Sequence, residues 1–98
     1  MIIHKNKKDD TLELAIEGRL DTTTAPELEA ELNDFPKDVA MLIFNFEKLA
    51  YISSAGLRVL LKFYKKMNTQ GKTKIINANE NVMEVLEMTG FTEFIMAK

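Results

Sequence analysis

The residues most able to do chemistry sit at one junction, Tyr51-Ile52-Ser53-Ser54-Ala55-Gly56-Leu57-Arg58. Two adjacent serines there precede a helical pattern, and a serine at a helix start caps the backbone N–H groups that lack intrahelical partners. The same N–H groups and the helix dipole favour an anion, so an exposed hydroxyl at this point also suits a phosphoryl acceptor. Both roles remain open for Ser53 and Ser54, and the cap is the commoner one. Other chemistry finds little support. The one histidine, His4, lies far along the chain from Ser54 and has no acidic partner fixed by spacing, whereas a serine nucleophile needs a base within hydrogen-bond reach. Ser53-Ser54-Ala55-Gly56 also lacks the first glycine of the G-x-S-x-G elbow. The carboxylates show no metal-ligand spacing, and no glycine-rich phosphate loop is present. Cysteine is absent, which removes thiolate catalysis, disulfides and cysteine metal sites together. The chain is therefore read as a non-enzyme with no cofactor and no metal.

A second group of residues, Arg58, Lys62, Lys65 and Lys66, puts positive charge along one helix. No aromatic side chains are interleaved for base stacking, so a solvated helix face is a better reading than nucleic-acid binding. Val59 and Phe63 lie among these charges. With Leu57 taken as the inward direction, they fall on the opposite side of a helix of about 3.6 residues per turn. They are apolar where solvent is expected. Either a partner surface or a flanking element of the same domain accounts for them.

The elements that must hold these residues follow from hydrophobic periodicity. Val39 to Phe46 is a short uncharged run and reads as a buried, interior strand. After a turn, Leu57, Leu60, Leu61 and Tyr64 give the i, i+3, i+4, i+7 face of a helix from about Ser54 to Asn68, with Gly71 just beyond. Upstream, Met1 to Lys5 is a weak strand. Leu12, Leu14 and Ile16 alternate with polar or small residues in a half-buried strand that Gly18 ends, and the two pair as a hairpin through Asp9-Asp10. Thr24-Ala25-Pro26-Glu27 fits a capping box ahead of a short helix through Leu28, Leu32 and Phe35, stopped by Pro36. Lys74 to Asn77 is a further strand. Asn79 caps a last helix whose inner face is Val82, Val85, Leu86 and Thr89, with Gly90 at its C′ position. Phe91 to Met96 completes the pattern as a short strand or apolar tail. The expected order is β-β-α-β-α-β-α-β: one α/β domain over residues 1–98, with parallel crossovers after Val39 and a mixed sheet because of the leading hairpin.

Composition agrees. A chain of 98 residues, 46% hydrophobic and 29% charged, suffices for one domain with a modest core. A net charge of −2 gives no overall attraction to nucleic acid or to an anionic membrane. Neither a membrane span nor a signal peptide is read in it, so the expected location is cytoplasmic.

Tyr51-Ile52-Ser53-Ser54-Ala55-Gly56-Leu57-Arg58-Val59-Leu60-Leu61 resembles the signature of STAS domains and, within them, of the small bacterial anti-sigma factor antagonists. Gly18-Arg19-Leu20-Asp21, followed by Thr24-Ala25, is similar to the family's G-x-[LI]-D segment, and Thr89-Gly90-Phe91 to its threonine-glycine-leucine. The resemblance implies a single STAS-like domain that works by binding. In the family, a serine kinase that is also the anti-sigma factor phosphorylates the serine of an Asp-Ser-x-Gly motif. The unphosphorylated antagonist binds that kinase, phosphorylation ends the binding, and a phosphatase restores it. The family serine falls on Ser54 and the glycine on Gly56, while Ser53 stands in place of the aspartate, so the acidic group beside the acceptor is lost. The expected partner contacts are Asp21, Ser53, Gly56, Arg58, Val59, Lys62 and Phe63, with Val59 and Phe63 exposed and Arg58 and Lys62 at the rim. The chain stops at Lys98, so the family's further C-terminal helix is expected to be missing. The alternative from another class is a constitutive STAS subunit, resembling the small component of bacterial lipid-transport ATPases, that binds its partner without being switched.

Overall fold

In the computed structural model, which describes residues 1–90, the chain forms a mixed five-stranded sheet with its helices packed over one face. Strand β1 (Ile2–Lys8) runs antiparallel to β2 (Thr11–Leu20) through the Asp9-Asp10 turn, with Asp9 at a positive φ of 56°. Aspartate is among the residues that tolerate this conformation, which is what the charged turn requires. A short helix α1 (Ala25–Glu29) passes into a 3₁₀ turn at Ala30–Leu32. Strand β3 (Met41–Asn45) then lies parallel to β2 on one side and to β5 (Lys72–Ile76) on the other. The uncharged run is thus interior, as its composition predicts. Helix α2 (Ser54–Met67) and helix α3 (Glu80–Met88) complete the described order. The expected strand or tail at Phe91 to Met96 lies outside the described residues.

One element was not expected. Leu49–Ile52 forms strand β4, after a turn at Glu47-Lys48 where a direct passage from strand to helix was anticipated. β4 pairs parallel with the last residues of β2, Gly18 to Leu20, just beyond the stretch of β2 that pairs with β3. The register shifts between Gly18 and Arg19, and Gly18 has φ of 105°. Gly18 therefore does not end β2. It stands at the register shift where β2 passes from β3 to β4, opposite a bulge whose unpaired residue is Ala50 of β4.

The core forms where side chains of alternating strand positions meet the helices. Leu12, Leu14 and Ile16 of β2, Leu42 and Phe44 of β3, and Ile75 of β5 are buried on one sheet face. Leu57, Leu60, Phe63 and Met67 of α2 pack onto them, with Leu28 of α1 and Val82 and Leu86 of α3 in the same cluster. Phe63 meets Phe44 edge-on at 5.3 Å between ring centroids and Phe35 at 6.0 Å, a geometry that favours aromatic pairs.

The capping box expected before α1 does not close. Thr24 occupies the N-cap position but makes no side-chain cap. Its hydroxyl instead donates to the Arg19 carbonyl and accepts from the Asp21 N–H, each at 2.8 Å. Asn79 behaves as expected: its Oδ1 accepts from the Val82 N–H at 2.8 Å, and Gly90 follows α3 with φ of 81°.

Candidate functional site

The site is built where β2 and β4 end side by side. Leu20 pairs with Ile52, and the Ser53 N–H donates to the Leu20 carbonyl at 2.9 Å. This fastens the start of α2 to the loop that follows β2, so the two segments with family-like residues, Gly18 to Asp21 and Tyr51 to Arg58, become neighbours. The carboxyl ends of parallel strands are a recurrent place for binding sites in α/β sheets.

The two serines have separate tasks. Ser53 is the N-cap, extended at φ −102° and ψ 175°, and its Oγ accepts from the Gly56 N–H at 3.4 Å. Ser54 is the first residue of the helix and is exposed. Its hydroxyl takes no part in the cap. Gly56 is buried, and its role is steric. A Cβ at this position would lie 2.7 Å from Leu20 Cγ and 3.0 Å from both Ile52 Cγ1 and the Leu20 carbonyl oxygen. Only glycine lets the first turn of α2 rest this closely on β2 and β4. Gly56 therefore contacts the domain's own interior, and a direct partner contact is not how it serves the site.

Asp21 stands in the adjoining loop, half-buried. Its Oδ1 accepts from the Thr23 hydroxyl at 2.8 Å, the Thr23 N–H at 3.0 Å and the Thr24 N–H at 3.2 Å. These donors, the Thr23 hydroxyl first, hold its pKa down to about 2 against an ordinary 3.8. A carboxylate held this way is ionised at any physiological pH. Arg19 lies 3.5 Å from the other Asp21 oxygen and stacks over the Tyr51 ring, its guanidinium carbon 4.4 Å from the ring centroid. Tyr51 itself is exposed. Residue type and spacing do not single out Arg19 and Tyr51 as site members, although both stand inside the family-like segments. What connects them is the parallel pairing of Arg19 with Tyr51.

Two further expected contacts are corrected. Val59 is 3% exposed and Phe63 fully buried, so neither lies on a partner surface. The buried residues of α2 are Gly56, Leu57, Val59, Leu60, Phe63 and Met67, an arc centred near Leu60 and Phe63. Leu57 sits at its edge, and Leu61 and Tyr64 are only half-buried. The inward direction is thus about one residue's rotation away from Leu57. Phe63, on the helix's far side, is covered by Phe35 and Phe44, and Val59 belongs to the same core cluster. Arg58 and Lys62 are exposed, as expected; Lys62 Nζ donates to Glu29 of α1 at 3.0 Å. The surface at this end of the molecule is polar and charged: Ser54, Arg58, Asp21 and Arg19, with Tyr51 as its aromatic. Among the described residues no cluster of side chains could hold a metal ion, and no helix is long and apolar enough to cross a membrane.

The STAS domain model matches residues 3–98, nearly the whole chain. This chain belongs to the STAS domain family. Over 93 residues the STAS domain is 34% identical to BtrV of Bordetella bronchiseptica, a protein assigned by name to the anti-sigma factor antagonists; the match covers 93% of this chain and 80% of that one. It is 28% identical over 95 residues to the anti-sigma-B factor antagonist of Staphylococcus aureus, covering 95% and 88%. Among solved structures, the anti-sigma factor antagonist SpoIIAA in its unphosphorylated form superposes with a TM-score of 0.77 at 20% identity, over 99% of this chain and 88% of that chain. SpoIIAA of Bacillus has also been solved in a phosphorylated form, with the same TM-score. The relatives are thus regulatory proteins by name, and the single α/β domain with a mixed sheet is the fold they share.

Proposed function

We propose that this STAS domain is an anti-sigma factor antagonist that binds a serine kinase acting as anti-sigma factor while Ser54 is unmodified, and that phosphorylation of Ser54 releases it. A phosphatase would restore binding. The observation that carries the reading is the division of labour between the serines: Ser53 supplies the cap, which leaves the Ser54 hydroxyl exposed at the helix start. The phosphorylated form of a structural neighbour supports it. Asp21, whose carboxylate is fixed and ionised beside the junction, offers the partner an acidic group in place of the one missing at Ser53. Ser53 and Gly56 serve the contact from beneath, as cap and as close-packed turn, while Arg58 and Lys62 remain at the rim. The protein would act in the cytoplasm, where such a kinase works.

A phosphate on Ser54 adds a charge of about −1.5 to −2. In the free domain it meets the N–H groups of the first helical turn and Arg58 one turn on, so the fold is little affected. At a docked surface the dianion must shed its water, with an effective penalty of several kcal/mol unless it is paired. Each 1.4 kcal/mol is about tenfold in affinity. Partner binding should therefore fall by about two decades or more, while thermal melts of the free domain stay put. The test compares unmodified protein, enzymatically phosphorylated protein and Ser54→Asp by calorimetric titration against the kinase. Unchanged affinity with phosphate confirmed on Ser54 by mass spectrometry would overturn the switch. That result would favour the constitutive lipid-transport subunit instead.

A further inference from the structure

The sheet face turned away from the helices carries no described element, and its composition is uneven in an ordered way. Three strands contribute to its middle, and the parallel register sets their residues in rows. Thr11, Met41 and Lys72 share one row; Glu13, Ile43 and Lys74 the next; Ala15, Asn45 and Ile76 the third. The β3 column is largely apolar, with Met41 and Ile43 followed by Asn45. On one side of it β2 places an acid, Glu13, and on the other β5 places two lysines, Lys72 and Lys74. Met41, Ile43 and Ile76 are half-buried and the two lysines exposed. Neither lysine has an ion-pair partner among the described residues, and Glu13 receives only the Asn45 amide, at 3.1 Å.

We propose that this face binds a second copy of the chain, sheet to sheet, about a two-fold axis running along β3. A two-fold axis makes an interface from one self-complementary patch. Rotation about β3 exchanges the flanking strands, so that β2 of one copy lies over β5 of the other, and the rows keep their level. Ile43 then meets Ile43, Glu13 faces Lys74 twice, Thr11 faces Lys72 twice and Ala15 faces Ile76 twice. The central row is matched by charge and the Ala15–Ile76 row by size, while Thr11 sets no like charge against Lys72. Moving the axis to lie between β2 and β3 spoils the match. It sets Glu13 against Ile43 and, because Lys8 of β1 is level with Thr11, sets Lys8 against Lys72. Like charges facing each other suppress that arrangement. Packed sheets keep their strands within about 30° of each other, which preserves the central row best, the one that carries the Glu13–Lys74 pairs.

The patch is modest. Three strands about 4.8 Å apart and five residues of about 3.3 Å each make a face far smaller than the roughly 800 Å² per partner of a standard complex. The dimer is accordingly concentration-dependent and dissociates as salt screens its charge pairs. It lies on the opposite side of the sheet from α2, so its formation leaves Ser54 accessible and the inference does not rest on the proposed switch.

The experiment is sedimentation equilibrium on the whole chain, over a concentration series reaching the millimolar range, at low and at high salt. The unaltered protein should self-associate at low salt. Glu13→Lys or Lys74→Glu alone puts like charges opposite one another and should weaken association at least about tenfold, the scale of a close charge pair. The double variant Glu13→Lys with Lys74→Glu should recover most of the loss. Thermal melts on each variant confirm that it is folded; should a reversal fail to fold, Glu13→Gln and Lys74→Gln replace it and should each weaken the dimer. A monomer at every concentration overturns the proposal. So does a dimer indifferent to the single changes, or a loss that the double variant does not restore.

Discussion

Helices α2 and α3 begin with the same device put to different ends. Ser53 and Asn79 both stand at an N-cap in extended conformation, and each accepts from the N–H three residues on. Asn79 uses both halves of its amide. Its oxygen takes the Val82 N–H at 2.8 Å, and its nitrogen donates to the Leu49 carbonyl of β4 at 2.9 Å. Ser53 makes one longer bond, 3.4 Å, and leaves its anchoring to the backbone, where its N–H reaches Leu20. The α3 start is a structural rivet, and the exposed residues beside it, Glu80 and Asn81, carry no hydroxyl. The α2 start is fixed mainly by close packing under Gly56, so its cap is lightly loaded and the next hydroxyl stays available. At α2 something other than the capping side chain holds the helix start in place, and at α3 the capping side chain itself does.

That contrast can be broken from beneath first. Phe63→Ala empties the space between Phe44 and Phe35 and should cost about 3–5 kcal/mol of stability, the usual range for a buried phenylalanine. Chemical denaturation measures it; a loss below about 1 kcal/mol would return Phe63 to the surface. Gly56→Ala drives a methyl into Leu20 and Ile52 and should cost about 1–3 kcal/mol as overpacking, or lift α2 off the strands. A neutral melt with unaltered amide shifts at Leu20 would show that close packing is not what holds the site. Asn79→Ala removes a cap and strips a β4 carbonyl of its partner, for about 1–2 kcal/mol. Ser53→Ala, with its longer bond, should cost no more than about 1 kcal/mol, and Ser54→Ala should lie within the ~0.5 kcal/mol scatter of surface changes. If Ser53→Ala proves costlier than Asn79→Ala, the contrast is reversed.

The smallest effect sharpens the contrast at α1, where no side chain caps the helix. Asp21, with its lowered pKa, should contribute stability that is full above its ordinary value of 3.8 and is lost as pH falls through about 2. Thr23→Ala removes the leading hydrogen bond and should move the Asp21 titration upward, read from its carboxyl carbon shift in NMR. An unmoved titration would mean that the backbone N–H groups alone set it.

The sequence made the hairpin, the interior strand β3 and the Asn79 cap legible because each rests on local rules: a turn type, an uncharged β-rich run, a capping side chain before a periodic segment. The misjudged features depend on what arrives from elsewhere. Strand β4 has only four residues, two exposed between two buried, and becomes a strand because the end of β2 is there to pair with it. Thr24 is a good cap by type, but its hydroxyl is engaged by Arg19 and Asp21. The facing of α2 was ambiguous because its apolar residues span more than half the circumference, and only Phe35 and Phe44 decide which of them is central. The positions of Ser53, Ser54 and Gly56 were readable as a motif. That Ser53 caps while Ser54 stays exposed needed the structure.

The register shift at Gly18 has a mechanical consequence. By letting β2 hand over from β3 to β4, it sets a single continuous strand beneath both loops of the site, Asp21 on its own end and Ser53 hydrogen-bonded to its Leu20. The two loops share one mount and have little freedom to drift apart. A group added at Ser54 would thus stand beside a junction that is hydrogen-bonded to the end of β2. Under the proposed switch, the strain of accommodating it would fall on whatever is docked there, with no rearrangement of the two loops required.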